Sequence, residues 1–250
     1  MIIFLSAIFG LIWGSFLNVV ILRARNKETL LGRSHCVFCK KILRWFETIP
    51  VFSFLLQGGR CRGCGEKISK QYALVEITSA LIFMAGALRF YDWREFIFFL
   101  VSANALLIIF VYDLKFLEIP DGFVFAPLAL LLVLGWPLGS QFYLSAFFGV
   151  LLTAGFFGGQ YAISRGRWIG AGDITFGLLL GVMLGWPEIL AALFLAYVGG
   201  AVISLFLVAF KIKNLKSQMP FAVFLAPAAL AVLLWGNQFM ILAERYFLLY

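Results

Sequence analysis

The chain has 250 residues, of which 63% are hydrophobic and 13% charged, and its formal net charge is +8. A soluble protein of this size could not remove so much apolar surface from water, and several apolar runs exceed about 18 residues, the length that crosses a bilayer. Because these runs are continuous rather than alternating, they predict an all-α polytopic membrane protein and not a β-barrel. The basic residues cluster between apolar runs, so anionic membrane lipids are expected as their contact and nucleic acid is not.

The apolar runs predict about eight transmembrane helices. The expected spans cover residues 2–22, 73–90, 96–113, 122–136, 141–163, 173–186, 189–210 and 219–236. A last apolar stretch, 239–250, is interrupted by charges and is expected to lie at the membrane interface. Basic residues follow the first run, at Arg23 and Arg25, and none precedes it. This order favours a retained first span with its N-terminus outside over a cleaved signal peptide.

The distribution of positive charge supports this topology. If the long polar loop after the first span is cytoplasmic, seventeen Lys and Arg lie on the cytoplasmic side and three lie outside. Eleven of the seventeen fall within 23–70, and the last cytoplasmic connection contributes Lys211, Lys213 and Lys216. Such a bias follows the positive-inside rule.

The long loop contains all four cysteines, as two Cys-x2-Cys pairs: Cys36, Cys39, Cys61 and Cys64. Two such pairs can supply four thiolates to one tetrahedral ion, and a reducing cytoplasm disfavours disulfides, so the spacing predicts a structural, zinc-ribbon-like Zn²⁺ site. Metal binding would then supply much of the folding free energy of the loop. Redox-active cysteines, or a loop ordered without metal, are the alternatives. The adjacent His35 is expected to be solvated rather than a ligand.

Two carboxylates at the edges of apolar spans, Asp113 and Asp173, are the candidate catalytic residues. Carboxylates in such positions are costly and therefore suggest a function. The predicted topology puts both near the cytoplasmic face, where one could activate a water while the other, protonated, polarises a peptide carbonyl. Gly170 and Gly172 would leave room for an extended substrate beside Asp173. The structural alternatives are that Asp173 caps its helix and that Asp113 pairs with Lys115.

Two more acidic residues are expected near the same face. Asp121 follows Pro120 and is predicted to cap the fourth span rather than to catalyse. Glu76, early in the second span, could order the basic loop, bind a substrate amine or lie among lipid headgroups.

Together these motifs resemble the bacterial type IV prepilin peptidases, the bifunctional leader peptidases and N-methyltransferases of pilus and type II secretion systems, which are GxGD intramembrane aspartic proteases. The resemblance extends over nearly the whole chain. It rests on residues 14–23 (GSFLNVVILR), the two cysteine pairs with Ile49-Pro50 between them, residues 68–76 (ISKQYALVE), Asp113-x5-Ile119-Pro120-Asp121 and Gly170-Ala-Gly-Asp173.

The resemblance implies that Asp113 and Asp173 are the catalytic pair. It implies cleavage of prepilins or pseudopilins after a Gly at the cytoplasmic face of the bacterial inner membrane, and methylation of the new N-terminal residue with S-adenosylmethionine. The sequence has no Gly-rich nucleotide-binding fingerprint, so the methyl-donor site is placed by position alone, near Asn18, Arg23 and Glu76.

The motifs also suggest how the chain divides into two functional parts. Residues 1–72, the first span and the zinc loop, would form the methyltransferase part, and residues 73–250 a seven-helix peptidase domain. A transporter with carboxylates at the membrane midplane and a non-catalytic assembly factor are the rival functions. The first predicts inverted repeats, which we do not detect, and the second predicts that both aspartates are dispensable.

Overall fold

The computed structural model describes residues 1–212 and 219–247, and within them it is helical apart from loops and two isolated β-bridges. The predicted all-α membrane class is therefore confirmed, and the chain is a multi-pass membrane protein. Lys213, Lys216 and the last three residues of the terminal apolar stretch lie outside the described residues. The described helices are α1 (Ile2–Asn26), α2 (Phe52–Leu56), α3 (Gln71–Arg89), α4 (Trp93–Phe116), α5 (Asp121–Leu134), α6 (Ser140–Ser164), α7 (Ala171–Leu184), α8 (Glu188–Ala209) and α9 (Ala222–Phe247).

Each predicted span has a helix, but the helices differ in length. Six of those described are long and apolar enough to cross a membrane. The other two, α5 and α7, have 14 residues each. A helix of that length covers about 21 Å, less than the roughly 30 Å of a hydrocarbon core, so the count of eight crossings stays a prediction. The described part of the terminal stretch, up to Phe247, lies beyond a break in helical geometry at Trp235. Its location at the membrane interface stays a prediction.

The chain forms two compact units, and the first, residues 1–96, is built on α1 packed against α3. Gly10 and Gly14 of α1 face α3, and a Cβ on either would lie 2.6 Å from the Cα of Ala80 or Glu76. This small-x3-small spacing lets two membrane helices approach closely. Because α3 packs in the first unit, the compact units do not divide at residue 72; the functional division proposed there stays a prediction.

The second compact unit, residues 97–250, is built around α7. This short helix packs against α5, α6, α8 and α9, and half of its residues are buried, as expected of a helix that is apolar all round. Gly181 lets α6 approach, since a Cβ there would lie 2.6 Å from the backbone nitrogen of Val150. The largest buried side chains of this core are Leu106, Ile109, Leu131, Phe157, Phe176, Leu179, Leu180, Ile189 and Leu225.

Candidate active site

The turn between α4 and α5 forms one side of the candidate site. α4 ends at Phe116, and Leu117 then adopts a positive φ of 53° while its N–H donates to the carbonyl of Asp113. Pro120 has an extended conformation and occupies the N-cap position of α5. Because proline cannot continue a helix, the chain turns back here instead of prolonging α4.

Asp113 is buried, with 6% of its surface exposed, near the end of α4. Its Oδ2 accepts a hydrogen bond of 3.1 Å from the N–H of Ala222, the first residue of α9. The N-terminal N–H groups of a helix have no partner within the helix and carry partial positive charge, so they stabilise a carboxylate in this position. No ion pair joins Asp113 to Lys115 within the described residues, so the pairing considered from the sequence is not observed.

Asp173 lies in the first turn of α7 and is partly buried. Its Oδ2 accepts a hydrogen bond of 2.9 Å from the N–H of Gly170, the N-cap residue. The capping role considered from the sequence is therefore present. The start of α7 also lies against the α4–α5 turn, since a Cβ on Gly172 would be 3.1 Å from the Cβ of Ile119.

Asp113 and Asp173 line one cavity of about 510 Å³. A cavity of this size is typical of sites that hold a small molecule or a few residues of a peptide. Two carboxylates in one recess can divide the work of general base and general acid. The remaining lining residues are Tyr112, Leu117, Glu118, Ile119, Pro120, Asp121, Gly170 and Gly172.

Asp121 differs from its predicted role. It is the first residue of α5, it is exposed, and the N-cap position belongs to Pro120, so it is not the N-cap residue that the sequence predicted. The difference is one position, within the usual uncertainty of helix ends. Its negative charge still suits the first turn of a helix.

Three contributions to the site were not predicted from the sequence. Tyr112 is buried beside Asp113, and its ring lies edge-on to those of Phe116 and Phe123. Glu118 also lines the cavity and lies in the x5 segment of the Asp113-x5-Ile-Pro-Asp motif. Its charge, next to an apolar span, could have pointed to the site from the sequence. The N–H of Ala222 had no signal, because it lies 109 residues from its partner.

The first unit contains the cysteine cluster. The Sγ atoms of Cys36 and Cys64 are 4.0 Å apart, as are those of Cys39 and Cys61, and all four lie within 4.8 Å of one another. Four thiolates about 2.3 Å from a central Zn²⁺ would be separated by about 3.8 Å, so the donor set fits one tetrahedral ion.

The two cysteine pairs form matched turns. In each, the carbonyl of the first cysteine accepts the N–H of the residue four positions later, Lys40 or Gly65, and that residue has a positive φ of 57° or 73°. The N–H groups of Cys64 and Gly63 lower the pKa of the Cys61 thiol to about 6. These backbone donors favour the thiolate, which is the form that binds a metal ion.

His35 lies next to the first turn but outside the thiol cluster. Its Nε2 is 3.9 Å from a carboxylate oxygen of Glu28. The described donor set therefore consists of the four cysteines alone.

The polar residues proposed for the methyl-donor site all make hydrogen bonds within the first unit. Asn18 donates to the carbonyl of Tyr72 and accepts from the side chain of Gln71, which joins α1 to the start of α3. The guanidinium of Arg23 is buried and donates to four backbone carbonyls of the following loop at 2.9–3.3 Å: Thr29, Leu31, Gly32 and Arg33.

Glu76 is buried in α3, and its Oε2 accepts a hydrogen bond of 2.7 Å from the N–H of Val51. Val51 has φ 62° and ψ −51°, and the N–H of Phe52 donates to the carbonyl of Pro50, so these residues form a γ-turn of the rare positive-φ kind. This hydrogen bond agrees with one of the three roles considered for Glu76, ordering the loop. The other two stay predictions.

Two protein-family models match this chain, one in each compact unit. The family model described as "Bacterial Peptidase A24 N-terminal domain" matches residues 8–90, and "Type IV leader peptidase family" matches residues 98–205. The comparison with solved structures found no match.

Similar curated proteins include three called prepilin leader peptidase/N-methyltransferase. The protein from Bacillus subtilis (strain 168) is 33% identical over 235 residues, which is 92% of this chain and 93% of the relative. The one from Pseudomonas putida is 29% identical over 94% of this chain and 91% of the relative. The one from Myxococcus xanthus (strain DK1622) is 33% identical over 79% of this chain but only 61% of the relative.

The matches cover both compact units and include the cysteine pairs and both aspartates. The chain therefore belongs to the type IV leader peptidase family.

Proposed function

We propose that this protein is a membrane-embedded aspartic endopeptidase that removes the leader peptide of type IV prepilins or pseudopilins and methylates the new N-terminal residue. The observation that carries the peptidase proposal is the single cavity lined by Asp113 and Asp173. The names of the relatives, prepilin leader peptidase/N-methyltransferase, support the substrate class and the second activity.

The proposed cleavage uses only the two carboxylates and water. One aspartate, ionised, takes a proton from a water molecule, and the other, protonated, donates a hydrogen bond to the scissile carbonyl. The oxygen of that water bonds to the carbonyl carbon, and the tetrahedral intermediate then collapses as the carbon–nitrogen bond breaks and a proton passes to the leaving amine. Each carboxylate accepts a hydrogen bond from a backbone N–H at the start of a helix. Asp113 of α4 accepts from Ala222 at the start of α9, and Asp173 accepts from Gly170 at the start of α7, so these N–H groups hold the carboxylates in place.

The site is proposed to open at the cytoplasmic face of the bacterial inner membrane. The bias of seventeen basic residues against three supports this orientation, with the N-terminus outside. The end of α4 lies on the side of the cysteine loop once α3 and α4 cross the membrane. The proposal also needs α5 to count as a crossing, because only then does α6 return the start of α7 to that side.

The first unit is proposed to hold a structural Zn²⁺ and to serve methyl transfer. The four cysteines fit the metal, whose role would be to order the loop. S-adenosylmethionine would supply the methyl group. The methyl-donor site is proposed to lie near Asn18, Arg23 and Glu76. Because the hydrogen bonds of these residues stay within the unit, we derive no transfer step from them.

Cleavage of a prepilin by purified protein in detergent tests the peptidase proposal. Asp113→Asn and Asp173→Asn should each lower the rate by roughly 10²–10⁴-fold, since each removes a general acid or base. Asp121→Asn is the matched control, because this exposed carboxylate lines the same cavity but is proposed to have no part in the chemistry.

Several outcomes would contradict the proposal. Full cleavage by either single variant would exclude the assigned pair, and an equal loss in Asp121→Asn would show that the cavity's charge rather than two particular groups matters. If Asp113→Asn and Asp173→Asn each restored function in a strain lacking the protein, the rival role as a non-catalytic assembly factor would be favoured.

A further inference from the structure

The short helix α2 presents apolar side chains to its surroundings in the middle of a polar loop. Phe52, Leu55 and Leu56 are 60%, 66% and 76% exposed. Positions i, i+3 and i+4 lie on one face of a helix. The adjacent turn Trp45–Glu47 packs beside α2 and adds Trp45, which is 78% exposed. We call these four side chains the α2 patch.

The position of α2 along the first unit is fixed by a hydrogen bond to a membrane helix. Val51, the residue before α2, donates to Glu76, the sixth residue of α3. That residue lies about 8 Å along the axis from the start of α3. A span of 19 residues is about 28 Å long and fills nearly the whole hydrocarbon core. The start of α2 is thus held at the level where the first turns of α3 enter the bilayer.

A γ-turn reinforces this placement. The positive φ of Val51 costs free energy for a β-branched residue, so the surrounding contacts must hold it. The Glu76 carboxylate satisfies the N–H that this turn exposes. α2 is therefore tethered rather than free to move away from α3.

The charges around the patch match an anionic surface. The loop from residue 23 to 72 contains eleven Lys and Arg against three Glu, and one of these, Glu47, is neutralised by Lys41 at 3.0 Å. Arg44 and Arg60, on either side of the patch in sequence, are exposed. Apolar side chains with basic neighbours and a Trp are characteristic of helices that lie in the interface of membranes containing anionic lipid.

We propose that α2 lies in the cytoplasmic interface of the membrane, with the α2 patch in the acyl-chain boundary and the neighbouring arginines among anionic headgroups. The bilayer is favoured over a protein partner because α2 is held at a depth where lipid already surrounds the chain. This contact would hold the cysteine cluster close to the membrane surface. It does not depend on the proposed peptidase activity.

Photo-crosslinking of the full chain tests the proposal in vesicles of phosphatidylethanolamine and phosphatidylglycerol. Benzoylphenylalanine replaces Leu55 or Leu56, and Phe54 on the same helix is the matched control. The ring of Phe54 packs on the Gly58–Gly59 turn, where a Cβ on Gly59 would lie 3.2 Å from it. Mass spectrometry should find lipid adducts severalfold more often at Leu55 and Leu56 than at Phe54. Adducts to the chain itself or to a second copy, or equal lipid yields at all three positions, would overturn it.

A second measurement applies even if few adducts form. Trypsin should cut after Arg60 severalfold faster in Leu55→Asp/Leu56→Asp than in the unaltered chain, provided that both keep the same metal content. Phe38→Asp is the control, since Phe38 is 64% exposed within the first cysteine turn and outside the patch. Replacing phosphatidylglycerol by phosphatidylcholine should also increase cutting of the unaltered chain. Unchanged cutting in both experiments would rule the proposal out.

Discussion

The two units of this protein use buried polar groups in different ways. In the first unit, Asn18, Arg23 and Glu76 are buried, and each donates to or accepts from backbone of the same unit. In the second, Asp113 is equally buried and also bonded to backbone, yet it lines a cavity together with Asp173. The polar groups of the first unit thus hold a fold together, whereas we propose that Asp113 performs chemistry. What points to chemistry at Asp113 is the cavity that it lines together with Asp173.

The largest expected effect concerns the Zn²⁺ that we propose for the first unit. Cys36→Ser should lower the zinc content from about one ion per chain to nearly none, because the site closes only with four ligands. The loop should then lose order, since metal binding supplies much of its stability. Metal analysis and limited trypsin digestion measure the two effects, and fragments of the second unit should stay resistant.

His35→Ala is the matched control for this substitution. His35 is adjacent to Cys36 but contacts Glu28 rather than the thiol cluster. Zinc retained in Cys36→Ser, or lost in His35→Ala, would contradict the four-thiolate assignment.

A smaller effect is expected at Glu76, where the comparison between the units is most direct. Glu76→Gln makes the same carboxylate-to-amide change as Asp113→Asn but should leave the cleavage rate nearly unchanged. It should instead lower the free energy of unfolding by about 1 kcal/mol, since the N–H of Val51 would then donate to the neutral amide oxygen of Gln and no longer to a carboxylate. Thermal unfolding in detergent and prepilin cleavage measure the two quantities on one preparation.

Glu95→Gln is the control, because this exposed carboxylate at the start of α4 should change stability by less than about 0.5 kcal/mol. If Glu76→Gln lost cleavage as completely as Asp113→Asn, the distinction between a positioning carboxylate and a catalytic one would fail.

Much of this arrangement could be predicted from local sequence. Continuous apolar runs predicted the helices, because a membrane helix satisfies its own backbone and leaves a continuous signal. The Cys-x2-Cys spacing likewise predicted the two cysteine turns, because each turn is local and is built from about six consecutive residues. Gly170-Ala-Gly-Asp173 likewise forms a local N-terminal cap on α7.

What could not be predicted depends on contacts between distant segments. The N–H of Ala222 reaches Asp113 across 109 residues, and Glu76 fixes Val51 across 25. A β-branched residue with positive φ is against local preference, so only the tertiary contact explains the turn at Val51. The same holds for α3, which joins the first unit because Gly10 and Gly14 let it pack on α1.

The smallest expected effect is a pH dependence inside the cysteine loop. Glu47 is a third buried carboxylate, with 1% of its side chain exposed, and it accepts from the N–H of Arg44 and pairs with Lys41 at 3.0 Å. These contacts, the backbone hydrogen bond first, hold its pKa below the usual value of 4.5. A lowered pKa contributes stability that is fully present above pH 4.5 and is lost as the pH falls through the folded-state pKa.

Glu47→Gln removes this titration while keeping the shape of the side chain. Near neutral pH it should lower the free energy of unfolding by only about 1 kcal/mol, since the side chain of Lys41 is 35% exposed and water weakens the ion pair. The difference between the variant and the unaltered chain should shrink as the pH falls below the usual range of Glu. Unfolding midpoints measured over that range, with the exposed Glu66→Gln as control, test this directly. A difference that persisted in acid would mean that Glu47 acts through packing rather than charge, and the first unit would then owe this part of its order to shape alone.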